Sequence, residues 1–321
     1  MIFEKQIVNI YKAMAYTRCD DNGTAYYFTT KDFKGLVAEP YSFVSSKGHK
    51  LQGYIYSYEN PIPNRIVVFD HGFGAGHTAY MKEIELLCKH GYLVFAYDHT
   101  GCMESGGETP NGMAQSLCDL NDCLITLKND SRFTNFDFSV MGHSWGGFST
   151  LNITALHPYI SHIVVLSGFV SVEMLVNAYF GGILKPYRKP IMALEKSSNE
   201  EFIKFNAIET LKNSNVKALL IYSDNDQLCS KKVHYDALVE ELSNSANVKF
   251  MLEKRKGHNP NYTREAVEYL GEYLSAKNNL TQKKKLDTKE QKSEFVASFD
   301  FDRMTEQDER VWNAIFEHLD N

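Results

Sequence analysis

The 321-residue sequence contains no apolar run approaching the roughly 18 to 20 residues that a helix needs to cross a bilayer. No membrane span is expected. Its first residues, MIFEKQIVNIYKAMAY, mix acidic and basic side chains early and lack a long apolar core followed by a small-residue cleavage site. Secretion is therefore not indicated, and a cytoplasmic location is the expectation. Cysteine is sparse: Cys19, Cys88, Cys102, Cys118, Cys123 and Cys229 form no CxxC pair and no His/Cys spacing of a zinc site. Reduced structural thiols are expected, with no metal and no other cofactor. An excess of basic charge is also lacking, since 34 Lys and Arg face 40 Asp and Glu for a net charge of -6. Despite the local run Lys283-Lys284-Lys285, there is no field to draw in a phosphate backbone, and no nucleic-acid partner is expected. Internal repeats are absent as well. Nothing in the composition fixes an oligomeric state.

What the sequence does have is an ordinary globular balance, 43% hydrophobic and 23% charged, enough to bury a sizeable core. From about residue 41, short β-rich runs alternate with helical stretches, the pattern of a mainly parallel sheet with crossover helices. Tyr41 to Val44 and Leu51 to Tyr56 flank a Ser-Ser-Lys-Gly turn and read as an antiparallel hairpin. Apolar runs follow at 65–69, 92–97, 136–141, 162–166, 218–222 and 248–252, each nearly continuous, as strands buried on both faces require. The polar and glycine residues that suggest chemistry come just after these runs. Open α/β sheets bind ligands at that edge.

Four segments stand outside the alternation. Residues 1–40 form an N-terminal extension with a helix over about 4–16. Residues 169–205 are longer than a crossover needs and carry Phe169, Met174, Tyr179 and Phe180, a candidate lid and substrate pocket. Residues 276–294 are polar and charged and read as a linker. Beyond them, 295–321 reads as an amphipathic helix, with Val311, Trp312, Ile315, Phe316 and Leu319 at helical spacing behind a capping box at Thr305 to Asp308.

The sharpest chemical signal is Gly142-His143-Ser144-Trp145-Gly146. A serine hydroxyl is a weak nucleophile until a base takes its proton, and it must stand clear of the surrounding backbone. A tight strand-turn-helix elbow presents it so, with glycines two residues either side where a β-carbon would collide. By chance such a pattern arises on the order of 0.1 times in a chain of this composition. Here it follows a strand pattern and precedes a helix pattern, as the mechanism requires.

The chemistry needs three further parts, and each has a candidate. Two N–H groups must meet the oxyanion: the Trp145 amide at the start of the helix, and an amide of the glycine-rich loop 71–76, with Phe73 preferred and Gly74 next. The base must come from a late loop, and His258 follows Gly257 after the last strand. The acid must lie between serine and histidine in chain order. Asp226 of Ser223-Asp224-Asn225-Asp226 is preferred, with Asp224 second, while the upstream Asp98 reads as a loop-ordering residue. His71, His99 and His143 read as local hydrogen-bonding residues.

Together, His71-Gly72-Phe73-Gly74, Tyr97-Asp98-His99-Thr100-Gly101, Ser105-Gly106-Gly107, the Ser144 elbow followed by Gly147, Asp226 and Gly257-His258 resemble the α/β-hydrolase superfamily. The resemblance covers residues 41–275 and is nearest to the monoacylglycerol-lipase-like and serine-aminopeptidase-like group. It implies an α/β-hydrolase fold: a mostly parallel central sheet of about eight strands, flanked by helices and carrying a short helical lid. It also implies that the acid is the last carboxylate of a Gly-x-x-Asp turn, where this sequence has Ser223 in place of glycine.

The leading expectation is a serine hydrolase that cleaves a small-molecule carboxylic ester, or a thioester, through an acyl-enzyme on Ser144, with a small or apolar acyl group. A peptidase or aminopeptidase, an acyltransferase, and a binding protein that keeps the fold without turnover all use or mimic the same constellation.

Overall fold

The polar turn at 45–49 joins β1 (Val37–Val44) to β2 (Lys50–Ser57), which pair antiparallel from Val44 opposite Lys50 to Val37 opposite Ser57. The computed structural model describes residues 3–321, and among these six more strands follow. They are β3 (Arg65–Asp70), β4 (Leu93–Tyr97), β5 (Asp137–His143), β6 (His162–Leu166), β7 (Lys217–Ser223) and β8 (Val248–Glu253). They build one sheet in the order β1-β2-β4-β3-β5-β6-β7-β8. The β2–β4 pair is antiparallel, and every pair from β4 to β8 is parallel. The expected eight-stranded, mostly parallel sheet is thus observed.

The apolar strand runs are explained by burial on both faces. Along β3, Ile66 and Val68 enter one core while Val67 and Phe69 enter the other, and Val164 and Leu166 of β6 oppose Ile163 and Val165 in the same way. The first core is covered by α3 (Gln115–Asn129), α4 (Trp145–Asn152), α7 (Ala207–Lys212) and α8 (Tyr235–Leu242), and the second by α2 (Met81–Lys89) and α12 (Glu309–Asp320). Between β6 and β7, ahead of α7, lie α5 (Val172–Tyr179) and α6 (Arg188–Ser198). The N-terminal helix α1 spans Glu4–Ala15. Among the described residues, no helix is long and apolar enough to cross a membrane.

The segment 276–321 departs from its sequence reading. Residues 276–294 are largely helical, not linker: α9 (Arg264–Gln282) runs through their first half, and α10 (Lys289–Ala297) begins inside their second. Their polarity is that of a solvated helix face. The apolar minority, Leu286 with Tyr273, Phe295 and Met304, closes a small core of its own. Residues 295–321 form more than one helix, since α11 (Phe301–Met304) ends before α12 begins. The N-cap of α12 is Asp308, whose carboxylate accepts from the amides of Arg310 and Val311. Thr305 instead closes the preceding turn, its hydroxyl donating to the Phe301 carbonyl at 2.7 Å. Val311, Trp312, Ile315 and Leu319 bury the apolar stripe of α12 on the chain's own sheet.

Candidate active site

Ser144 stands between β5 and α4 with φ 56° and ψ -108°, a backbone region that residues with a β-carbon rarely adopt. Its surroundings hold it there. The Ser144 amide donates to the Leu166 carbonyl at 2.9 Å, and the Phe148 amide donates to the Ser144 carbonyl at 3.0 Å. Gly146 lies so close to the Asp70 and His71 backbone that a β-carbon would collide with both, and one on Gly142 would strike the Gly146 backbone and the Thr150 hydroxyl. The close approach read from the sequence is therefore the reason for both glycines.

His258 and Asp226 meet across the loops after β8 and β7. His258 Nδ1 lies 2.7 Å from Asp226 Oδ2. The other oxygen, Oδ1, accepts the amides of Leu228 at 2.8 Å and Cys229 at 3.0 Å. Burial opposes a charge on Asp226, but the His258 contact and these amides outweigh it, and the carboxyl titrates below its ordinary range. The rest of the turn is spent on the same neighbouring loop. The Lys256 amide donates to Ser223 Oγ at 2.9 Å, the Arg255 amide to Asp224 Oδ1 at 2.8 Å and the Gly257 amide to Asn225 Oδ1 at 2.8 Å. The serine that replaces glycine at 223 thus acquires a partner that glycine lacks.

Ser144 and His258 line one cavity of about 520 Å³, in the size range of small-ligand sites. Phe73, Trp145, Phe169, Tyr179 and Phe180 line it too. Met174, expected beside them, does not; it packs against the core instead, because α5 turns Leu175 and Val176 toward the space. The Phe73 and Trp145 rings meet edge to face with centroids 5.0 Å apart. Trp145 opens α4, where amides have no intrahelical acceptor. The Gly72 amide donates to the Tyr80 hydroxyl at 3.0 Å.

That tyrosine belongs to a relay the sequence did not suggest. Tyr80 Oη lies 2.8 Å from His143 Nδ1, and His143 Nε2 lies 2.8 Å from the His258 carbonyl. Because a carbonyl only accepts, His143 donates from Nε2 and accepts the Tyr80 hydroxyl proton at Nδ1. Burial lowers the His143 pKa to about 3, so the ring stays neutral and keeps this tautomer. The loop after β3 and the loop after β8 are thereby tied through the Tyr80 and His143 side chains.

The remaining candidates order the frame. Asp98 accepts the His77 amide at 2.8 Å and faces His77 Nδ1 at 2.7 Å, while its second oxygen accepts the Glu104 amide at 3.1 Å. His71 accepts the His99 amide at 2.9 Å. The buried His99 ring lies between Asp70, at 3.1 Å, and Asp119, at 3.3 Å; burial disfavours its charge, but the two carboxylates prevail and raise its pKa to about 9.

The C-terminal segment holds the loop after β8 through several contacts. The Asp308 amide donates to the Asn261 carbonyl at 2.8 Å, Lys256 Nζ reaches Asp308 at 2.6 Å, and the Asn261 and Gln307 side-chain amides both donate to the buried Glu83 Oε1. Burial pushes Glu83 from its ordinary 4.5 up to about 7. Between those values the folded state holds the extra proton, so stability falls as pH rises. Glu83→Gln is therefore predicted to stabilise the protein by about 1–3 kcal/mol at pH 8 and to be neutral below about pH 4.5. Denaturant melts at both pH values check this. An offset that does not change with pH would contradict it.

Residues 61–204 match the family model described as serine aminopeptidase, S33. A candidate chloroplastic methylesterase of Arabidopsis thaliana is 33% identical over 113 residues, covering 35% of this chain but only 24% of its own length. The match thus spans about a quarter of that relative. Among solved structures, an esterase of Pyrococcus furiosus aligns over 84% of this chain and 99% of its own, with 20% identity and a TM-score of 0.59. An acylaminoacyl peptidase of Pyrococcus horikoshii aligns over 71% of this chain and 38% of its own, with 18% identity and a TM-score of 0.53.

Proposed function

We propose, from the premise that the chain belongs to the α/β-hydrolase superfamily, that it is a carboxylic-ester hydrolase in which Ser144 is the nucleophile. The observation that carries the reading is the convergence of Ser144 and the Asp226-bound His258 on one apolar cavity. In this reading Asp226 holds the Nδ1 proton of His258, so Nε2 presents a lone pair to the serine hydroxyl. As Ser144 attacks the ester carbonyl, His258 takes its proton, and the Phe73 and Trp145 amides meet the developing oxyanion. His258 then returns the proton to the leaving alcohol. A water, deprotonated in turn by His258, cleaves the acyl-enzyme. The helices between β6 and β7 serve as the lid.

The composition of the cavity favours an ester over an amino-terminal peptide. Among the described residues that line it, which come from α1, the elbow, α5 and the neighbouring loops, none is acidic, whereas recognition of a free α-amino group calls for a carboxylate. The test has two parts. A small fluorophosphonate should label the protein at Ser144, located by peptide mass spectrometry, and p-nitrophenyl esters should turn over faster than aminoacyl p-nitroanilides. Absence of labelling, or a preference for the anilides, would sink the esterase reading.

A further inference from the structure

Five cavity residues come from α1, ahead of the region that carries the superfamily resemblance: Ile7, Ile10, Tyr11, Met14 and Ala15. Their spacing of three and four places them on one stripe of the helix. Ala15 is buried, whereas Ile10 and Met14 are 58% and 65% exposed although they line the cavity, so the stripe runs from the interior to the mouth.

A buried carboxyl holds the helix in place. Glu195 of α6 is fully buried, and burial pushes its pKa up. The Tyr11 hydroxyl donates to its Oε1 at 2.7 Å, the Tyr16 hydroxyl reaches the same atom at 3.4 Å, and the Met113 amide donates to Oε2 at 2.8 Å. Met113 lines the cavity as well, and its carbonyl accepts the Trp145 indole N–H at 2.7 Å. One side chain thus fixes α1, α6 and the loop before α3 against the residue that follows Ser144. A helix that only covered the body would need neither an exposed apolar rim nor a latch to the catalytic elbow.

We infer that α1 is the wall that sets acyl-chain length, and that the substrate is an ester of an uncharged, apolar acyl group of medium length, lying along the stripe of Ile7, Tyr11 and Met14. The inference rests on the reading of Ser144 as nucleophile. Ile7 is half-buried and makes none of the latch contacts, so its size can be changed while Glu195 keeps its partners.

The experiment uses the full chain, with p-nitrophenyl butyrate, decanoate and tetradecanoate as substrates and a small ethyl fluorophosphonate as probe. Ile7→Trp is expected to lower the decanoate-to-butyrate ratio of kcat/KM about tenfold, the loss of roughly two buried methylenes. Ile7→Ala is expected to move the optimum about two carbons longer by the same reasoning. Both variants should still be labelled at Ser144 by the small probe, which shows that the nucleophile and its base remain in place while the chain-length ratio moves. If Ile7→Trp fails to fold, Ile7→Ala decides alone. Unchanged chain-length ratios in labelled variants, or losses equal for all three esters, overturn the role of α1 and leave the Ser144 reading standing. A wild type that the probe does not label overturns that reading, and this inference with it.

Discussion

Ser144→Ala is expected to lower kcat for p-nitrophenyl butyrate by about 10⁶-fold, with little change in melting temperature. The size follows from what the substitution removes. With no Oγ there is no acyl-enzyme, and His258 is left with no hydroxyl to deprotonate, so residual rate comes only from the amides that would meet the oxyanion and from binding. Stability should hold because the strain lies in the backbone. Ser144 sits at φ 56° through bonds made by its own amide and carbonyl, to Leu166 and from Phe148, and alanine keeps both. A methyl at that φ is no worse than a hydroxymethyl. Thermal melts run beside the kinetics separate the two effects. Activity within about tenfold of wild type would remove Ser144 from the mechanism, since any serine-dependent step loses far more.

The elbow and its neighbours were legible because each depends on local sequence. A strand ends where its apolar run ends, and the residues that follow face the ligand edge of the sheet whatever the rest of the chain does. Gly142, Gly146, Asp226 and His258 are visible on that logic. Other features required the fold. Nothing in the sequence marks Glu83 or Glu195, since carboxylates are rarely buried, and only tertiary packing shows each enclosed with its donors. The stripe of Ile7, Tyr11 and Met14 announces an amphipathic helix but not the surface it meets, which includes α6, more than a hundred residues away. The polar stretch 276–294 misled for the complementary reason. A solvated helix face and a linker share a composition, and what separates them is a few apolar residues such as Leu280 and Leu286, which find partners only after folding. Tyr80 left no signal at all. Its role depends on the Gly72 amide and His143 meeting over one hydroxyl.

Asp226→Asn should slow ester turnover by about 10⁴-fold, whereas Asp224→Asn should cost less than about tenfold. The difference follows from how an amide fits each place. At 226, Oδ1 accepts two backbone amides, from Leu228 and Cys229, and that position must remain an oxygen. The NH₂ of asparagine is then forced toward His258 Nδ1, where the carboxylate Oδ2 stood at 2.7 Å. A donor there drives the imidazole proton to Nε2, which then offers Ser144 a hydrogen in place of a lone pair. The fold loses little, but the base has the wrong tautomer. At 224, the carboxylate accepts the Arg255 amide at 2.8 Å, and an asparagine carbonyl serves there equally well. Steady-state kinetics on both variants, with the small fluorophosphonate as a second readout, will show which residue orients the base. If Asp224→Asn proves the more damaging, the acid is Asp224, and the contact between Asp226 and His258 is structural only.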